Sequence, residues 1–234
     1  MHIGIDGTKG GWVYCFMEGS KIVNIRFFER FVFFPRPTLV DIPIGLPKDR
    51  ERTCDKMARK LLSRRASSVF TVACREAVYQ DSYEKALEIN KAILQKGFSK
   101  QFWNIARKVR EVDELMRNNE EGRKLIKESH PELCFLGISG RILKSKHEKA
   151  GLEERLEMLV QYIPNARKEL INISEKLKIP LDDLIDATVL SLSLSFKLIS
   201  VPEKTEYDEY GIPMQIHFPV SSSAPKGGIR KNCV

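Results

Sequence analysis

Short acidic motifs recur from one end of this chain to the other. They are Asp6 in G-I-D-G (4–7), Asp41 in V-D-I-P-I-G-L-P (40–47), Glu132 in H-P-E (130–132) and the pair Asp183/Asp186 in D-D-L-I-D (182–186). Asp6 and Asp41 follow apolar, strand-like runs, Ile3–Ile5 and Leu39–Val40. Asp183 and Asp186 lie three residues apart and share one face of a helix. Ionised carboxylates are costly to bury without a partner or a metal, so acids at the ends of apolar strands need a physical reason. A fold that brought these ends together would gather negative charges that only bound cations make tolerable. That is the donor chemistry of a Mg²⁺ or Mn²⁺ site for phosphoryl transfer.

Each acid also has a plainer reading. Asp6 sits in a D-G dipeptide of the kind that favours turns. Asp41 could cap the stiff I-P-I-G-L-P loop, whose prolines fix the backbone. Asp182, after Pro180, is a candidate helix N-cap, while Asp183 and Asp186 near a helix start suit the macrodipole. Glu132 could complete a metal site and His130 could act as a general acid or phosphate contact. The alternative for these two is a hydrogen-bonded pair at a strand end. Lys9, Arg64, Arg65, Lys108, Arg110 and Lys146 are candidate phosphate contacts, able to stabilise developing negative charge. For Lys108 and Arg110, in K-V-R-E-V-D, the competing reading is ion pairing within a helix. Trp12, Phe98, Phe102 and Trp103 could stack on bases, although aromatics at this density are more often core.

The elements that must position these groups follow from periodicity. Residues 3–8, 12–18 and 21–28 read as a three-stranded meander with turns at K-G-G and G-S. The run 27–34 is open between strand and short helix, and P-R-P (35–37) ends it. Residues 38–42 form a further strand stopped by Pro43. Residues 50–126 are helix-like, with apolar spacing such as Ile105/Val109/Val112/Leu115/Met116. H-P-E-L-C-F-L-G (130–137) reads as a strand, 151–160 and 180–196 as helices, and 212–218 as an edge strand or terminal arm. A meander, an acid-bearing strand, helices, a strand and a closing acidic helix suit a mixed α/β sheet covered by helices.

Bulk properties set bounds. With 234 residues the chain can bury a full core, as one domain over 1–220 with about 50–126 inserted. No apolar run approaches the roughly 18 residues of a membrane span, and the opening M-H-I-G-I-D-G lacks a secretory pattern. Five cysteines without C-x-x-C pairing read as reduced packing residues, so a cytoplasmic location is expected and structural zinc is not. The net charge of +8 favours polyanions such as nucleic acid. From Lys48 to Arg75 nine Lys/Arg face three acids, and the tail 221–234, read as disordered, adds three more basic residues. The helical segment offers surface for a homodimer.

G-I-D-G-x-K-G-G-W (4–12), D-I-P-I-G-L-P (41–47), R-x-x-S-S-V-F (64–70), K-V-R-E-V-D (108–113), H-P-E-L-C-F (130–135), S-K (145–146) and D-D-L-I-D-A (182–187) occur in this order. Together they resemble domain-of-unknown-function family 429, whose members are described as predicted ribonuclease H-like nucleases, over roughly residues 3 to 218. V-F-T-V-A (69–73) departs from the family's usual proline-containing version, and the tail after Val220 lies outside the resemblance. The resemblance implies a ribonuclease H-like mixed sheet flanked by helices, with a helical insertion. It further implies two divalent cations held by Asp6, Asp41, Asp183 and Asp186 for hydrolysis of a nucleic-acid phosphodiester, the two ions about 4 Å apart. Two rivals remain: a non-catalytic nucleic-acid-binding or scaffolding relative, and an actin- or sugar-kinase-like ATPase. The latter needs a second glycine-rich phosphate loop, which the chain does not show.

Overall fold

A computed structural model of the chain describes residues 1–220; the expected disordered tail lies outside them. The meander forms as β1 (His2–Thr8), β2 (Gly11–Glu18) and β3 (Lys21–Phe28), paired antiparallel. β4 (Thr38–Val40) and β5 (Ile126–Glu128) extend it in parallel, giving the order β3-β2-β1-β4-β5. This mixed five-stranded sheet flanked by helices is consistent with the ribonuclease H-like fold expected from the sequence.

Both faces of the sheet are covered, which explains why β2 is apolar or aromatic and buried from Trp12 to Met17. Successive side chains alternate across a strand, so Val13, Cys15 and Met17 enter one core while Trp12, Tyr14 and Phe16 enter the other. The first core is closed by α1 (Thr53–Leu62), α6 (Pro131–Ser139), α7 (Lys149–Tyr162), α8 (Ala166–Leu177) and α9 (Leu181–Ser193). The second is closed by elements between β4 and β5: α2 (Arg75–Val78), α3 (Tyr83–Leu94) and α4 (Lys100–Asn118), with α5 (Glu120–Leu125) leading into β5. Trp12, Phe98 and Phe102 are buried in this second core and Trp103 is half-buried beside it. Cys15, Cys54, Cys74 and Cys134 are free, buried thiols.

α9 lies directly against β1. A Cβ at Gly4 would stand 2.1 Å from the Ala187 carbonyl oxygen and 2.3 Å from the Ser191 nitrogen, so only glycine admits this approach. A separate two-stranded sheet, β6 (Lys197–Tyr207) and β7 (Pro213–Val220), closes the chain, with Ser129 bridged to His217. Its turn is bound by a buried cluster. Arg75 pairs with Asp113 of α4 and with Asp208, the Tyr79 hydroxyl donates to Asp113 at 2.8 Å, and Arg117 reaches Asp113 at 3.3 Å. The Tyr210 ring lies against both guanidinium groups, at 4.6 and 5.2 Å.

Three expectations are corrected. Residues 130–137 are not a strand: Pro131–Ser139 is a helix, with the His130 side chain accepting from the Glu132 amide as N-cap and Pro131 in the first turn. Everything from Pro131 to Ile138 is buried, so no polar face marks the helical period. Residues 29–34 are neither strand nor helix; they are held by the Tyr14 hydroxyl, which donates to the Val32 carbonyl and accepts from its amide. Asp182 is not a cap. Pro180 holds that position and Asp182 instead pairs with Lys146 at 3.4 Å.

Candidate active site

The parallel strands β1, β4 and β5 carry acids at neighbouring ends: Asp6 two residues before the end of β1, Asp41 just after β4 and Glu128 closing β5. Pairing of Ile5 with Val40 and of Val40 with Glu128 sets them level. A cleft of about 600 Å³ opens at these ends, where parallel sheets commonly bind ligands. Asp183 and Asp186, brought in by α9, line the same cleft. Sequence acids more than 170 residues apart therefore converge because α9 packs on β1 at Gly4.

The electrostatics are those of unbalanced negative charge. Asp6 is 6% exposed, accepts only the Gly7 amide (2.8 Å) among the described residues, and its carboxyl is pushed well above the usual range by burial, then by Asp41, Asp186 and Asp183. Asp41 is raised by burial, partly offset by His130 and Lys146. Asp183 is raised by burial, with a hydrogen bond from Thr8 opposing. Asp186, 3% exposed, is raised to about 6 by burial although Lys146 Nζ lies 2.6 Å from it. Lys146, near Asp182, Asp186 and Asp6, is raised in turn by those charges against its own desolvation.

His130 and Glu132 also face the cleft but are already engaged. His130 accepts the Glu132 amide at Nδ1 (3.2 Å), so its Nε2 carries the proton donated to the Ser68 carbonyl (3.1 Å). Glu132 takes a two-pronged pair from buried Arg155, at 2.7 and 2.8 Å, and a longer contact from Arg65 at 3.4 Å. Both residues thus fix the segment Ser63–Ser68, a 3₁₀ helix, against α6 and α7.

Of the basic candidates, Arg65, Lys108 and Lys146 line the cleft. Lys9 is exposed in the β1–β2 turn, Arg64 is exposed and donates to the Ile142 carbonyl at 2.8 Å, and Arg110 donates to the Gln80 carbonyl at 2.9 Å; none of these three lines it. Sequence reasoning missed Glu128, Asp55 and their partner Arg52. Buried Arg52 meets Glu128 at 2.5 Å and Asp55 at 3.0 Å, and donates to the Ile44 and Gly45 carbonyls (3.2 and 3.3 Å). Glu128, raised to about 7 by burial, accepts the Ile44 amide at 2.7 Å. This network holds the loop behind Asp41, in which Gly45 takes a φ of +74°. The available signal was the acid ending the apolar-started run I-K-E.

The donors are carboxylate oxygens, the hard ligands that Mg²⁺ and Mn²⁺ take, and their mutual repulsion fits a bound cation. Among the described residues no three His, Cys, Asp or Glu side chains are grouped as a ready-made metal site. No helix among them is long and apolar enough to cross a membrane. No curated protein and no solved structure matches the chain. One family model does, over residues 4–196, a span that includes Asp6, Asp41, Glu132, Asp183 and Asp186. The chain therefore belongs to the family described as "Protein of unknown function (DUF429)".

Proposed function

We propose that the protein is a metal-dependent phosphodiesterase that hydrolyses nucleic acid in the cleft at the ends of β1, β4 and β5. One observation carries this reading: Asp6, Asp41, Asp183 and Asp186 converge with their carboxyls held above the ordinary range by burial and, at Asp6, by one another. A structural cluster of acids would be matched by basic groups in ion pairs; among the described residues, these four acids have one ion pair, Asp186 with Lys146.

Asp6, Asp41, Asp183 and Asp186 would hold Mg²⁺ or Mn²⁺. A bound cation supplies a Lewis acid that lowers the pKa of water and neutralises charge on the phosphoryl oxygens. Arg65 and Lys108, which line the same cleft, orient the phosphate by charge-assisted hydrogen bonds. Glu132 and Arg155 hold Arg65 in place, and His130 holds Ser68. Lys146 lies where it can follow charge between Asp186 and an entering phosphate. A cytoplasmic location and a nucleic-acid partner belong to the same reading, in keeping with the charge of +8.

The test is cleavage of a panel of single- and double-stranded DNA and RNA, hybrids and branched junctions with Mn²⁺ or Mg²⁺. Metal-dependent cleavage by the wild type, lost in Asp6→Asn and Asp186→Asn, is the expected result. The pairing of Lys146 with Asp186 favours one second reading, a non-catalytic nucleic-acid-binding protein in which the lysine alone balances the acids. Binding indifferent to Mg²⁺ and to Asp6→Asn, with no cleavage, would select it.

A further inference from the structure

One stretch of the cleft lining has its own composition, of which the chemistry above uses only Lys108. Gln101, Ile105 and Lys108 lie at i, i+4 and i+7 along α4, and so form one stripe along the cleft. Gln101 is exposed and its amide is unpaired among the described residues; Ile105 is half-buried. Phe70 lines the same wall, half-buried, with its ring edge-on to fully buried Phe102 (centroids 6.1 Å apart, planes at 64°). An amide, an apolar surface, an aromatic ring and a cation thus line the same cleft as the carboxylates.

The acids are recessed: Asp6 and Asp186 are 6% and 3% exposed. A phosphate reaches them only if the nucleotide that carries it enters the cleft. About 600 Å³ is the size of a pocket for one small ligand, and a stiff paired duplex cannot follow its own phosphate into it. An unpaired strand can, and the base it brings needs a surface to replace its stacking neighbours.

Resting on the phosphodiesterase reading, we infer that the Phe70 ring and the Gln101/Ile105/Lys108 stripe form a base-binding subsite, and that the substrate strand enters unpaired. The base lies on Phe70 and Ile105, its edge meets the Gln101 amide, and Lys108 holds the adjoining phosphate. Sequence preference is weak, because every base offers a stacking face.

The experiment is fluorescence anisotropy in chelator with four labelled probes: a short single-stranded DNA, the same sequence as RNA, an abasic strand of equal length, and a blunt duplex. The single strands bind more tightly than the duplex. Phe70→Leu keeps an apolar side chain beside Phe102 but removes the aromatic face; it weakens the base-bearing strands about fivefold or more and leaves the abasic strand unchanged. Gln101→Ala, on an exposed position that folding does not need, gives a smaller loss with the same selectivity. Equal binding of duplex and single strand, an equal loss on the abasic probe, or no binding to any probe would overturn the subsite. Mn²⁺-dependent cleavage run beside it separates the two ideas. Equal cutting of duplex and single strand removes the subsite and keeps the phosphodiesterase, whereas base-dependent binding without cleavage does the reverse.

Discussion

Two buried groups of acids in this molecule are built in opposite ways. Behind the β6–β7 turn, Asp113 and Asp208 each meet Arg75, with Arg117 and the Tyr79 hydroxyl completing Asp113 and the backbone amides of Tyr210 and Ile212 completing Asp208 at 2.9 Å. At the ends of the parallel strands, Asp6, Asp41, Asp183 and Asp186 line one cleft, and among the described residues their one ion pair is that of Asp186 with Lys146. Burial is similar in the two places, so it does not distinguish them. Balance does. A carboxylate buried for architecture brings its counter-charges with it, whereas one buried for chemistry leaves room for a charge that arrives later.

Removing one member of the balanced group should have the largest effect. Asp113→Ala takes the shared buried carboxylate from Arg75, Arg117 and the Tyr79 hydroxyl, leaves Asp208 to Arg75, and should cost about 3–5 kcal/mol in urea denaturation. A cost below about 1 kcal/mol would erase the contrast. Next in size is the response to cations. Mg²⁺ or Mn²⁺ at about a hundred times its dissociation constant should stabilise the wild type by about 2.7 kcal/mol. Calorimetric scans of Asp6→Asn should show no such shift.

The third effect follows from the raised carboxyls. A carboxyl whose folded pKa exceeds its unfolded value contributes stability below about pH 4 that is lost as pH rises through the folded value, about 6 for Asp186. Metal-free protein should therefore lose on the order of 1–3 kcal/mol between pH 4 and 7 through this group. Asp186→Asn should flatten that slope; a slope unchanged by the substitution would mean the charge is balanced after all. Smallest of all is Arg64→Ala, on an exposed side chain away from the cleft, expected within about 0.5 kcal/mol and without effect on nucleic-acid binding. Its neighbour Arg65, inside the cleft, should weaken binding measurably when replaced.

Much of this was legible in the sequence because it is local. The meander shows in turn residues and alternation, and Asp6 and Asp41 stand out as acids ending apolar strands. α6 was misread because an element buried on every side has no polar face from which to read a period; the useful signal was capping, in His130, Pro131 and Glu132. β6 passed unnoticed because its outer half, E-K-T-E-Y, is polar and largely exposed. Glu128 and the Arg52 that meets it are 76 residues apart, and no periodicity announces a partner at that separation. The engagement of Glu132 by Arg155 was hidden for the same reason, since each looks ordinary alone.

The absent side chain at position 4 acts as a thickness gauge. Gly4 lies two residues before Asp6, and the Ala187 carbonyl that rests on it belongs to the residue after Asp186. The gap between those carboxylates is therefore set by two backbones in contact, which do not swap rotamers as side chains do. A methyl group placed there would work as a wedge near the hinge of a pair of jaws. It would open the far ends while leaving every chemically active atom in the sequence unchanged.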